Sequence, residues 1–216
     1  MVENATLIKF GLIEHIEKLR NEGLLYMNNL PFFWKLEDQE LRGDAFDSVD
    51  KIERGKNGII TEKDCNANSI NVTNWTLGIH PSEPDKINIF CMYALRPEKG
   101  MYPINKKNYK FGNHALILTN PQEFINRISS HLNKHAIKAK ANLVDYIDDN
   151  YIGEIGPFKK LRRFSYQSEW RLVCYDGPRI ERKIYIGSIQ DISIIHRSKE
   201  VNKKMTLDSC GVLHWS

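Results

Sequence analysis

The spacing of hydrophobic positions changes several times along the chain, and each change marks an element. Residues 6–10 form a short apolar run that predicts a strand. Leu12, Ile16 and Leu19 then recur at helical spacing, and Gly23 stops that helix ahead of the apolar Leu24, Leu25, Tyr26 and Met27. Strands are predicted over residues 71–79, over 86–95 with the buried pattern INIFCMYAL, and over 114–118. A helix opens at Asn120 and Pro121 and carries Phe124, Ile125 and Ile128. Alternation in AIKAKANLV (136–144) predicts a strand with one polar face, and Gly153, Gly156 and Pro157 break the chain before PFKKLRRF. Residues 169–175, 179–186 and 191–196 read as three further strands. The stretch 31–69 has little periodicity and is expected to be an ordered lid followed by a turn-rich excursion at about 42–70. Strands outnumber helices without regular βαβ alternation, which predicts an α+β fold with largely antiparallel sheets.

Length and composition refine this picture. The 216 residues are 41% hydrophobic, too apolar for a disordered chain and of a size for one domain, 1–216, with its own core. Cys65, Cys91, Cys174 and Cys210 form no CxxC pair, so reduced thiols are expected. The opening residues carry Glu3, Lys9, Glu14 and Glu17 and lack the apolar run of a signal peptide. No later stretch reaches the roughly 18 apolar residues of a membrane span, so the expectation is a cytoplasmic protein with no membrane partner.

The net charge of +4 is localised. Residues 134–183 hold 11 basic and 7 acidic side chains and account for the whole excess. Lys159, Lys160, Arg162 and Arg163 lie within that segment and are candidate phosphate contacts for RNA or DNA. The alternative is a solvated charged face.

The densest chemistry is in FSYQSEWRL. If residues 167–172 are extended, Gln167, Glu169 and Arg171 share one face while Ser168, Trp170 and Leu172 point to the other. A carboxylate there can accept hydrogen bonds from a ribose hydroxyl and stabilise positive charge at an anomeric carbon, and the neighbouring amide can orient a nucleophile. The competing reading is a solvent-facing strand with a Glu–Arg pair.

The Gln-x-Glu of this strand, together with the opening LIKFG…EHIEKLRNEGLLYMN, resembles the ADP-ribosyltransferase fold, as does FKK…FSYQSEWRL in small bacterial domains. The resemblance implies split antiparallel sheets with flanking helices, NAD as substrate, Glu169 as catalytic glutamate and Gln167 as the residue that helps select the acceptor. It places the NAD-gripping residue of the first strand at Lys9 or Phe10, where the family has Arg or His. Lys9, or Arg42 from LRGD, would have to substitute. The family's Ser-Thr-Ser strand motif is replaced by Cys91-Met92-Tyr93-Ala94, with Tyr93 a candidate nicotinamide neighbour or a core tyrosine. The resemblance further implies transfer of ADP-ribose to a macromolecule (nucleic acid or protein), a toxin or anti-phage defence role, and an antitoxin or immunity partner.

Two other classes compete. A non-catalytic nucleic-acid- or protein-binding module would use the same basic segment. A metal-dependent nuclease would use Glu37, Asp38, Glu40 and Asp44 of LEDQELRGD, whose alternative is a charged helix face and turn. His131 and His135 have i, i+4 spacing but no HExxH glutamate, so no metal site is assigned. GxxxxGK[ST], GxGxxG and GxSxG are all absent.

Overall fold

A computed structural model describes residues 5–35, 45–61, 69–96, 100, 102–208 and 213–215. In chain order the first elements are β1 (Thr6–Gly11), α1 (Ile13–Glu22), β2 (Leu24–Asn29), the short α2 (Leu30–Trp34), β3 (Lys51–Thr61), β4 (Ser69–Ile79), β5 (Asn88–Leu95), β6 (His114–Leu118) and α3 (Pro121–Lys134). There follow β7 (Ala139–Leu143), β8 (Asp145–Ile147), β9 (Gly153–Glu154), β10 (Lys159–Leu161), β11 (Glu169–Cys174), β12 (Arg182–Tyr185), β13 (Ser193–Arg197), β14 (Met205–Leu207) and β15 (Leu213–Trp215). The fold is α+β, and among the described residues every strand pair is antiparallel except β8 with β10.

β5 organises the main sheet. One edge pairs with β11 along Asn88–Tyr93, and β11 pairs in turn with β7. The opposite edge is divided: β2 takes Asn88 and Ile89, whereas β1 takes Tyr93, Ala94 and Leu95 and continues the sheet through β6 to β13. β12 extends the β2 branch. Where β1 leaves β5, the Lys9 ammonium donates to the Cys91 carbonyl at 2.7 Å.

Strand alternation sorts the side chains into two layers. Leu7, Phe90, Met92, Trp170 and Leu172 face α1 and α3, meeting Ile16, Leu19, Phe124 and Ile128 in the largest core. Ile8, Phe10, Tyr93, Leu95 and Ile117 line the other face under Ile104, Val201 and Met205. α1 ends at Gly23, whose φ of 65° is open to glycine at little cost and whose N–H closes on the Lys18 carbonyl. α3 is capped by the Asn120 side chain, which accepts from the Glu123 N–H, and has Pro121 in its first turn.

The expected excursion at 42–70 is corrected by the structure. Residues 51–61 of it are β3, which pairs with β4 from Lys51↔Ile79 to Thr61↔Ser69 in a long hairpin. Its hydrophobic positions did not announce a strand because only Ile52 is buried; Ile59, Ile60, Ile70 and Leu77 are exposed, so no core enforced alternation. Only Lys51 and Ile52 of β3 reach a third strand, β9.

Candidate functional site

The approach to β11 decides where Gln167 and Glu169 go. Residues Arg162–Gln167 form a 3-10 helix, and Ser168 turns the chain into the strand with a left-handed φ of 40°, unusual for a residue with a Cβ. That turn is held at every polar atom: the Ser168 hydroxyl donates to the Ala94 carbonyl at 2.6 Å, its N–H to Ser165 O at 3.1 Å, and its carbonyl accepts from the Ala94 N–H at 2.7 Å. The condition that residues 167–172 form one extended run is therefore not met, although the strand expected from Glu169 begins there. Glu169 and Arg171 do share one face of β11, but Gln167 is the last residue of the helix that precedes the strand.

That shared face is buried rather than solvent-facing. Glu169 is 8% exposed and Arg171 2%. The Arg171 guanidinium donates from Nε to Glu169 Oε2 at 2.7 Å and grips Asp47 through Nη1 and Nη2 at 2.7 and 2.8 Å, with further donation to Ser48 Oγ and the Pro157 carbonyl. Lys160, from β10, donates to Glu169 Oε1 at 2.9 Å and Gln167 Oε1 at 2.7 Å, and lies 3.2 Å from Asp47 Oδ2. The Tyr146 hydroxyl accepts from the Glu169 backbone N–H at 2.9 Å. Two carboxylates and two cations thus form a closed, formally neutral network, with Gln167 brought to Glu169 through the lysine they share.

Electrostatics keep all four ionised. Burial alone would raise both carboxyls, but Arg171 and then Lys160 more than offset it and hold Asp47 and Glu169 below the ordinary carboxylate range. Burial would lower the two cations, and Asp47 and Glu169 reverse that shift for both Lys160 and Arg171. Cys91, the β5 residue opposite Arg171, has its thiol pushed up to about 12, chiefly by burial and then by the Glu169 charge, so it is no nucleophile at neutral pH.

Glu169 pairs with Tyr93, and Tyr93 with Ile8, so one row crosses β11, β5 and β1. Phe10, two residues along β1 from Ile8, meets the Tyr93 ring edge-on at 6.2 Å. Lys9 alternates onto the opposite layer with Leu7, where its ammonium also lies 4.5 Å from the centre of the Phe90 ring. Of the two first-strand positions proposed to grip NAD, Phe10 is on the Glu169 face and Lys9 is not. Burial and the neighbouring Phe10 fit the core reading of Tyr93, whose hydroxyl is raised to about 12, chiefly by burial. Arg42, Glu37, Asp38, Glu40 and Asp44 lie outside the described residues, as do Cys65 and Cys210.

The basic quartet is also corrected. Lys160 is 4% exposed and committed to the ion network, which removes it from any contact with a phosphate. Lys159 donates to the Glu154 carbonyl at 3.0 Å and faces the Tyr151 ring. Arg162 is exposed, and Arg163 is exposed over the Phe164 ring. Alternation within KKLRR turns one lysine inward, which charge counting along the sequence does not register. His131 and His135 stack with centroids 4.4 Å apart, and among the described residues no group of three metal-binding side chains converges. Cys91 and Cys174 are free thiols.

Asp47 is the member of the network that sequence reasoning missed. It reaches Arg171 from 124 residues away, and its place beside Ser48, at a left-handed φ of 59°, is a tertiary fact. Asp47 lies inside the stretch read as a turn-rich excursion, where no local pattern marks it. No protein-family model, curated protein or solved structure matches the chain. Among the described residues no helix is long and apolar enough to cross a membrane.

Proposed function

We propose that the protein is an ADP-ribosyltransferase-like enzyme that cleaves the nicotinamide–ribose bond of NAD and transfers ADP-ribose to a macromolecule, with Glu169 as the residue that stabilises the oxocarbenium-like ribose. The observation that carries the reading is the row Ile8–Tyr93–Glu169: the first strand, the strand carrying Cys91-Met92-Tyr93-Ala94 and the strand that opens at Glu169 are adjacent and in register. An ionised carboxylate is what the chemistry requires, and Arg171 and Lys160 keep Glu169 in that form. Gln167, which accepts from the same ammonium, would be the residue that helps select the acceptor. On this reading Phe10 replaces Lys9 as the first-strand residue facing the substrate, so contact there is apolar. A toxin or defence role, with an immunity partner, belongs to the same proposal.

A second reading has its own observation. Both Glu169 oxygens are already taken by cations, and positive charge beside a carboxylate weakens its pull on a developing cation. In that case the network is a structural tie in a non-catalytic binding module.

Nicotinamide release from NAD, with and without cell lysate, separates the two. The enzyme reading expects release by the wild-type protein and a loss of about 10²-fold or more in Glu169→Gln, equivalent to at least ~2.7 kcal/mol of transition-state stabilisation. Circular dichroism must show that the variant is folded. Undiminished release by a folded Glu169→Gln protein, or no release by wild type under any of these conditions, eliminates the enzyme reading and leaves the structural one.

A further inference from the structure

A concave site lies at the far end of the sheet, where β1 and β13 end and β6 begins in the row Gly11–His114–Arg197. It is three residues along β1 from the Ile8–Tyr93–Glu169 row and three strands across from β11, or about 10 Å along and about 14 Å sideways. The cavity is about 670 Å³, and Tyr109, Lys110, Gly112, Arg197, Lys199 and Glu200 are among its lining residues. Such a volume is within the roughly 300–1,000 Å³ that holds a small organic ligand.

Gly112 in its lining packs on the end of β1. A Cβ on Gly112 would come within 2.1 Å of the Gly11 carbonyl carbon, so only glycine allows the turn before β6 to touch the end of β1. That turn is tied down by the buried Ser198, whose hydroxyl donates to the Gly112 carbonyl at 2.7 Å and whose N–H donates to the Asn113 carbonyl at 3.0 Å. One wall is the half-buried Tyr109, supported from behind by Phe10 at 6.2 Å between ring centres. The rim carries Lys110, Arg197 and Lys199, all exposed, against one carboxylate, Glu200. Other surface arginines, such as Arg127 and Arg179, are each bound to two acidic side chains, whereas no ion pair among the described residues engages Lys110, Arg197 or Lys199.

We infer that this cavity binds a free nucleotide, with its phosphates on Lys110, Arg197 and Lys199 and its base against the Tyr109 ring. Exposed cations grouped around one cavity suit a compact polyanion, Arg197 can offer planar two-pronged donation to phosphate oxygens, and an aromatic wall beside them suits a base rather than a bare anion. The inference stands on this cavity alone and does not depend on Glu169 being catalytic.

Binding of ADP, inorganic phosphate and a short single-stranded RNA to the purified full chain is the test, read by calorimetry and by ligand-induced rise in melting temperature. The assignment expects ADP to bind at least tenfold more tightly than inorganic phosphate and to weaken as salt rises. The triple variant Lys110→Gln/Arg197→Gln/Lys199→Gln should lose tenfold or more in ADP affinity. A variant of equal charge change at remote exposed sites, Lys18→Gln/Lys56→Gln/Lys138→Gln, should bind as wild type. Equal affinity for phosphate and ADP, ADP binding that survives the triple change, or RNA binding without ADP binding each overturns it, the last in favour of a nucleic-acid backbone.

Discussion

Arg171 and Arg127 each bridge two acidic side chains at close range, yet they do different work. Arg171 is 2% exposed and joins β11 to Asp47, 124 residues earlier; Arg127 is 24% exposed and joins Glu123, one helical turn away, to Asp191. Water can replace every partner of the surface pair at little cost. In the interior nothing replaces them, so each member of the buried network depends on the other three. Contact geometry alone would rank the two as equals; burial separates them.

The largest expected effect breaks the buried side of that comparison. Arg171→Met leaves Asp47 and Glu169 facing each other with Lys160 as the remaining cation, and should destabilise the protein by about 3–5 kcal/mol in urea unfolding, the range for one partner removed from a buried pair. A loss below about 1 kcal/mol would mean that the network relaxes into water and that burial is not what distinguishes it.

Acid should sharpen the comparison next. The unperturbed values of Asp47 and Glu169 are 3.8 and 4.5, and both are depressed in the fold, Glu169 to about 2. A depressed carboxyl contributes stability that is complete above its unfolded value and is lost as pH falls through the folded one. Stability should therefore decline from about pH 4.5 towards pH 2, and Asp47→Asn should flatten that decline while lowering the plateau at neutral pH. A plateau that falls with an unchanged acid slope would assign the titration to other carboxylates.

The smallest effect belongs to the surface. Arg127→Ala should cost at most about 1 kcal/mol, and 0.5 M salt should reduce even that, because exposed pairs are screened. A cost comparable to that of Arg171→Met would erase the distinction.

By itself the sequence determined the alternation that makes β1, β5, β6 and β11 strands, the helices capped by Gly23 and Asn120, and the α+β class, because period and punctuation are local properties. It also determined that Glu169 and Arg171 share a face, since two residues along a strand always do. Tertiary structure decided that this face is buried, because burial depends on what packs over a strand. Here Asp47 and Ser48 arrive from one distant segment and Pro157 and Lys160 from another. It likewise decided that Gln167 meets Glu169 through Lys160 rather than along the strand, the left-handed turn at Ser168 being held by Ala94, 74 residues away. Lys160 and Lys159 are chemically identical and adjacent, and only the core beneath β10 made one of them an interior cation and left the other at the surface.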